Sequence, residues 1–279
     1  MEENKPLVSL LIPTWNNKEY LFPALTSFFT HTFGMPLVEI IVINNGHKES
    51  CDWIKNPQIK VINAGKNLGW MGGLIAGLKE AKGEYIIFSN DDIHFPIHSR
   101  NWLLNMLNDF TDPKVGAVGP STNVVMGWQN IFASYPSSRF YTKFLIFFFV
   151  IIKRSVLEEA GGVDETLPGG DDLDLSIRIR DKGYKLLVDK DVFIYHHGFK
   201  TGKRIFGDET APGGWNSPRM TEETNLALIK KHGFKKWWDC LSGAYKEPER
   251  AASGFLRDSE GKIIRKLVNK NEKCHELGC

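Results

Sequence analysis

No apolar run in this sequence is long enough to cross a bilayer as a helix. The longest, Phe144–Ile152, has nine residues, where a spanning helix needs about 20. Cysteine is scarce: four residues, at 51, 240, 274 and 279, with no C-x-x-C pair. That excludes a disulfide-stapled scaffold and points to a reducing, cytoplasmic setting. The start, Met-Glu-Glu-Asn-Lys-Pro, is polar and is not the apolar core of a signal peptide. No G-x-G-x-x-G follows the first apolar run, and G-x-x-x-x-G-K-[ST] occurs nowhere. A dinucleotide dehydrogenase and a P-loop NTPase are therefore disfavoured. A strong charge of one sign is missing too: 35 basic and 33 acidic residues leave +2, which demands no nucleic-acid partner. The balance is uneven, with 19 basic and 22 acidic side chains in residues 1–198 and 16 and 11 in residues 199–279. The basic tail is compatible with peripheral contact at the inner face of a membrane, or with another anionic partner.

What is present is a rhythm of short apolar runs and amphipathic stretches. Val8–Ile12, Glu39–Ile43, Lys60–Asn63 and Tyr85–Phe88 read as buried strands. Glu19–Thr32 and Gly72–Ala81 have helical spacing, with Gly83 as the cap of the second. Alternating strand and helix predicts right-handed crossovers and a mostly parallel sheet with helices on both faces. The apolar run Phe144–Ile152 reads as a further central strand. In such a sheet the carboxyl ends of the strands line one edge, where ligands bind. Here those ends are Pro13-Thr14-Trp15-Asn16, Asn44-Asn45-Gly46, Gly65-Lys66-Asn67 and Asn90-Asp91-Asp92. Amides, a lysine and paired carboxylates suit a nucleotide, with Asp91 and Asp92 as hard ligands for Mg²⁺ or Mn²⁺ beside phosphate oxygens. Gly69, Gly72 and Gly73 open a helix; they offer backbone N–H groups or tight helix–sheet packing.

The segments Ser9–Asn17, Glu39–Gly46, Asn67–Gly73 and Gly83–Asp92 occur in this order. They are followed by Gly161–Glu165, Gly170–Arg178, Gly183–Val188 and Tyr195–Gly198. Together they resemble a family-2 glycosyltransferase with the GT-A fold, close to rhamnosyltransferase-like members, over roughly residues 6–200. The resemblance implies a metal-dependent inverting transfer of a sugar from a nucleotide diphosphate. It places the metal on Asp92, with Asp91 beside it and one of His196 and His197, His197 by preference, completing the shell. It places the donor nucleotide among Pro13, Thr14, Asn16, Asn44, Lys66, Asn67, Gly73, Asn90 and Asp91. Asn44 stands where many members carry Asp, which leaves the base of the donor open.

Asp171 and Asp172 begin a predicted helix, Leu173–Lys182. As residues they suit either N-capping or a general base that deprotonates an acceptor hydroxyl. The resemblance favours the base, with Asp172 ahead of Asp171. The acceptor side falls on residues 120–140, whose Trp128 and Tyr135 suit either stacking on a sugar or core packing. The expected organisation is a catalytic domain over 1–200, and over 201–279 a lid loop, a basic-aromatic helical segment and a tail. The acceptor is a hydroxyl on a glycan, a lipid-linked saccharide, a protein or another molecule. A nucleotidyltransferase, and a non-catalytic nucleotide- or carbohydrate-binding protein on the same fold, are the competing readings.

Overall fold

The computed structural model describes residues 6–32, 38–97, 101–135, 137–198, 200, 218–251, 255–257 and 263–266. Residues 207–217, read from sequence as most of a lid loop, lie outside them, as do Cys274 and Cys279.

Seven helices and eleven strands position the site. They run β1 (Val8–Thr14), α1 (Lys18–His31), β2 (Val38–Asn44), β3 (Ile59–Asn63), α2 (Gly69–Leu78), β4 (Tyr85–Ser89), β5 (Ile93–His94), α3 (Trp102–Asp109), β6 (Val115–Ser121), β7 (Arg139–Thr142) and β8 (Phe149–Lys153). Then follow α4 (Arg154–Glu159), α5 (Asp171–Asp181), β9 (Lys185–Phe193), β10 (Tyr195–His196), α6 (Pro218–His232), α7 (Phe234–Gly243) and β11 (Glu249–Arg250). The main sheet has the order β11-β7-β9-β6-β8-β4-β1-β2-β3. Only β7 and β8 run against the other strands.

Alternation along the strands builds two cores, because successive side chains point to opposite faces. Leu10, Ile12, Ile40, Val42 and Ile87 pack with Leu25 and Phe28 of α1 and with Trp102 and Met106 of α3. Leu11, Ile41, Ile43, Ile86 and Phe88 pack with Leu74 of α2, Val156 of α4 and Leu175 of α5. Helices thus cover both faces, as the rhythm of the sequence predicts. Gly77 lets α2 approach the sheet: a Cβ there would lie 2.9 Å from Ile43 Cδ1. Gly83 does not cap α2, which ends at Leu78. It lies under β1, where a Cβ would come within 2.5 Å of the Ser9 backbone nitrogen.

The run Phe144–Ile152 is a strand only from Phe149. Pairing with β4 begins at Ser89↔Phe149, the last residue of β4; beyond it one further bond, Asn90 N–H to the Phe148 carbonyl, closes the ladder, and Ile146 N–H turns to the Gln129 side chain. Phe144 turns instead into a third core with Leu173 and Ile177 of α5, Leu228 of α6 and Cys240 of α7. On the far half of the sheet, buried Arg139 of β7 ties α3 to β9 through Asp109 (2.9 Å) and Asp189 (3.1 Å). Trp128 and Tyr135 lie with Phe140 in an aromatic group, and they donate to the carbonyls of Lys246 and Pro248. They clamp the segment leading into β11.

One buried acid anchors α6 to α5. Asp174 binds Arg178 (2.6 Å), Lys231 (2.6 Å) and His232 (2.7 Å). Burial pushes its pKa up, and these partners pull it further down, so it stays ionised. Removing one member of such a group leaves uncompensated buried charge. Asp174→Ala is therefore expected to lose about 3 kcal/mol of unfolding free energy; urea denaturation measures it. A loss under about 1 kcal/mol, the range of a surface pair, would show that the cluster does not anchor α6.

Candidate active site

The chain leaves β1 for β2 and β3 on one side and returns to β4 on the other. The boundary between β1 and β4 is therefore a topological switch point, where a ligand crevice is expected at the carboxyl ends. Their pairing stops at Leu11↔Phe88, while β1 continues beside β2 to Thr14↔Asn44. The Thr14 carbonyl accepts from Asn45 N–H on the β2 side. Pro13 therefore faces the opened β4 side, where its missing N–H removes no ladder bond. Across the opening, Thr14 Oγ1 donates to Asp91 Oδ2 at 2.6 Å, with both residues buried.

Asp92 is also almost fully buried. Its Oδ1 lies 3.2 Å from His196 Nε2, and its Oδ2 accepts from the Lys200 backbone N–H at 3.2 Å. Burial raises its pKa, but His196 and the backbone N–H groups lower it more, so the carboxylate is held ionised. The β10–β5 ribbon, with His196 opposite Ile93, brings the histidine there. The ring stacks on Phe148 (5.2 Å, 25°), and Asn123 clamps its backbone with two hydrogen bonds. Asn90 Nδ2 lies 3.0 Å from the same Nε2. His197 presents its backbone N–H to the Asp92 carbonyl, while its ring contacts Tyr20 (5.1 Å) and Tyr195 (5.0 Å). The imidazole beside the acidic end of β4 is thus that of His196, one residue before the one preferred from sequence.

This donor set fits a divalent cation. Nε2–H can donate to Asp92 Oδ1, and with a cation bound the ring can instead keep its proton on Nδ1, which faces the Val124 carbonyl at 3.4 Å, and offer the Nε2 lone pair to the metal. Oxygen or nitrogen ligands at ~2.1 Å in octahedral geometry stand ~3 Å apart, close to the 3.2 Å seen here. Among the described residues no group of three or more His, Cys, Asp or Glu forms a closed cage. A cation that shares its shell with substrate phosphates needs only one or two protein carboxylates.

The amides at the strand ends divide by what they already bind. Asn44 is committed to its own loop: its Nδ2 donates to His47 O and Asn63 Oδ1, and its Oδ1 accepts from Gly46 N–H and Ser50 Oγ. Asn16, at φ 51°, accepts from His47 N–H and locks the first two loops together. Asn67 Oδ1 accepts from Gly69 N–H at the start of α2. Lys66 is exposed beside it. Gly73 packs rather than presents its backbone: a Cβ would lie 3.0 Å from Pro13 Cβ and 3.1 Å from Asn45 Nδ2. Asn45 donates to Gly69 O at 2.8 Å, and its buried Oδ1 has no hydrogen-bond partner among the described residues.

The second acidic pair begins α5. Its N-cap is Gly170 in the left-handed region (φ 70°), so neither aspartate acts as the cap. Asp172 Oδ1 accepts from Leu173 N–H at 2.8 Å, and Asp171 Oδ2 accepts from Trp70 Nε1–H at 2.9 Å. Trp70 lies in the first turn of α2. This one bond joins the acid pair to the helix that packs on β1 and β2.

The sequence model of glycosyl transferase family 2 matches residues 9–161, more than half of the chain. The chain belongs to glycosyl transferase family 2. An uncharacterized glycosyltransferase of Rickettsia bellii is 26% identical over 95% of this chain and 42% of its own length. A pre-mycofactocin glycosyltransferase of Mycobacterium tuberculosis is 23% identical over 84% of this chain and 52% of its own. The chain thus spans about half the length of these two relatives. The fold is also that of solved GT-A glycosyltransferases. A mannosyltransferase from Pyrobaculum calidifontis, in complex with GDP-Man and Mn²⁺, superposes with a TM-score of 0.56 at 19% identity, over 87% of this chain and 76% of that one. GalNAc-T7, with UDP, GalNAc and Mn²⁺, gives 0.59 at 17% identity, over 88% and 58%.

In this family-2 chain, Trp70, Asn123 and His196 stand beside the two acidic clusters, and the strand-end pattern does not single them out. The adjacent His196-His197 pair was the sequence signal for the last of them. A tryptophan in Asn-Leu-Gly-Trp carries no mark of its partner a hundred residues on. Burial pushes Asp171 up to about 6, against the lowering effect of the Trp70 hydrogen bond. Burial and then the Asp171 charge push Asp172 up to about 8. The bond stabilises the ionised form of Asp171, so its loss raises that pKa further. Trp70→Phe is expected to move the Asp171 titration to higher pH, read by NMR of the side-chain carboxyl. An unmoved titration would show that the bond does not set the charge of the pair.

Proposed function

We propose that this chain transfers a sugar from a nucleoside diphosphate donor to an acceptor hydroxyl, with inversion at the anomeric carbon. The observation that carries the reading is the pair of acidic centres. One is buried at the switch point and tied to a histidine; the other is joined by Trp70 to the helix beside that crevice. Asp92 and His196 would hold Mn²⁺ or Mg²⁺, which when bound offsets the charge of the leaving diphosphate. Thr14 fixes the orientation of Asp91. The nucleoside lies over the ends of β1, β2 and β3, where Asn45 Oδ1 is, among the described residues, an acceptor in want of a donor. With the Asn44 amide consumed by its own loop, Asn45 is the better candidate for contact with the donor.

The Asp171–Asp172 pair takes the proton from the acceptor hydroxyl. Both carboxyls are raised, so the pair carries about one negative charge near neutrality and its proton affinity sits in the working range of a general base. A base acts in its ionised form, so turnover is expected to rise with pH across the interval between about 6 and about 8. It falls as the pair is protonated on the acid side. Asp172→Asn is expected to lower kcat by about 10²–10⁴ with donor KM little changed; steady-state kinetics reads both. Unchanged kcat in both Asp172→Asn and Asp171→Asn would remove the pair from the chemistry. Solved neighbours bind GDP-Man in one case and UDP-GlcNAc in another, so they do not choose the base.

The deciding experiment is a thermal-shift panel of UDP, GDP, CDP and dTDP, each with Mn²⁺ and with EDTA. A ligand at a hundred times its Kd stabilises the native state by about 2.7 kcal/mol. One diphosphate is expected to raise Tm only with metal, and the shift is expected to vanish in Asp92→Ala and weaken in His196→Ala. No shift with any of the four at millimolar concentration would sink the donor site. Metal-dependent release of pyrophosphate from a nucleoside triphosphate would move the assignment to a nucleotidyltransferase. Binding with no sugar transfer from any nucleotide sugar would support a binding protein.

A further inference from the structure

The helix α7, Phe-Lys-Lys-Trp-Trp-Asp-Cys-Leu-Ser-Gly, has a face left exposed by the described residues. Its inner side is accounted for: Cys240 is buried, Trp237 and Leu241 pack on the third core, and Trp237 Nε1–H donates to Asn225 Oδ1 at 3.2 Å. Its outer side carries Phe234 (61% exposed) and Trp238 (52%), with Tyr245 (67%) just past the helix end. A spacing of four residues keeps Phe234 and Trp238 on one stripe of a 3.6-residue helix, and Tyr245 is exposed in the turn that follows. The rings of Phe234 and Trp238 lie parallel, 6.5 Å apart at 3°, and both are exposed. The loop with exposed Met126 and Phe132 abuts the end of this helix, for a Cβ on Gly127 would lie 3.0 Å from Ala244.

Lysine predominates along the segment that carries the stripe, with exposed Glu247 and Glu249 just after it. Residues 230–246 hold five lysines (230, 231, 235, 236 and 246) and a single acid, Asp239. That acid is occupied by Arg180 at 2.9 Å and by Lys143. Lys231 and Lys236 pair with acids of the domain below, while Lys230 and Lys235 are exposed. Aromatic rings that reach past a basic rim match a bilayer interface, where Trp and Phe enter the headgroup boundary and lysines meet anionic lipid. No described helix is long and apolar enough to cross a membrane, so the contact is one of surface. A second copy fits the stripe poorly, because a two-fold interface would set this basic rim against itself.

We propose that the outer stripe of α7, through Phe234 and Trp238 together with Tyr245, Lys230 and Lys235, docks the protein on anionic phospholipid bilayers. The proposal does not depend on the sugar-transfer reading. The test is cosedimentation of the full chain with vesicles of phosphatidylglycerol and phosphatidylcholine in equal parts, and with pure phosphatidylcholine vesicles. Wild type is expected to bind the anionic vesicles and not the neutral ones, with binding weakened at least tenfold in 0.5 M NaCl, as screening of surface charge requires (~4 Å Debye length). Both Phe234→Ser/Trp238→Ser and Lys230→Glu/Lys235→Glu are expected to weaken binding at least tenfold with Tm unchanged. The lysine pair keeps the test open should the aromatic double variant fail to fold. Absence of wild-type binding, or equal binding by the lysine variant, would overturn the proposal. A concentration-dependent dimer in sedimentation velocity, lost in Phe234→Ser/Trp238→Ser, would assign the stripe to a second copy instead.

Discussion

A carboxylate sealed from water must be paired if it is to stay ionised, and Asp92 sets that demand at the end of β4. The requirement organises much of what surrounds it. His196 must come within hydrogen-bond reach, so the chain after β9 folds back as a two-residue ribbon against β5. The imidazole must be held at one angle, so Phe148 lies beneath it and Asn123 grips its backbone. Phe148 stands immediately before β8, so the residue at the foot of that strand also supports the histidine.

The second acidic centre is held by different means. Asp171 and Asp172 stand at the start of α5, and that helix is fixed from three directions. Gly170 adopts a left-handed conformation and leaves no room for a side chain, since a Cβ would lie 2.8 Å from Leu228 Cδ1. Asp174 gathers Arg178, Lys231 and His232, which fastens α6 to α5. Trp70 reaches over from α2 to bind Asp171. The described part of residues 218–251 is therefore packed against the helix that bears the acid pair, and β11 extends the main sheet. The segment whose likeness to the family fades most in sequence supports a centre whose residues belong to its most legible part.

Much of the site was legible because strand ends write their chemistry in consecutive letters. Asn90-Asp91-Asp92 follows an apolar run directly, and a strand that ends in carboxylates states both its fold and its edge. The roles of the amides were less legible. Asn44 and Asn45 are neighbours of the same type, yet the first spends its hydrogen bonds on its own loop while the second keeps a buried acceptor open among the described residues. Nothing in the letters separates them, because the difference lies in which way each side chain leaves the strand. The glycines of α2 were ambiguous for the same reason: Gly73 is required by Pro13 on β1, a contact that sequence spacing does not contain.

By itself the sequence determined the alternation of strand and helix, the edge of the sheet where polar groups collect, and the two acidic clusters. These depend on local periodicity and on residues adjacent in the chain, which a single sequence displays. Only the tertiary structure decided that His196 rather than His197 turns its ring to Asp92. It also decided that Trp70 binds an acid a hundred residues away, and that the described residues leave one face of α7 exposed. Each of those depends on the relative placement of elements far apart in the chain, and that placement is set by packing rather than by any local pattern.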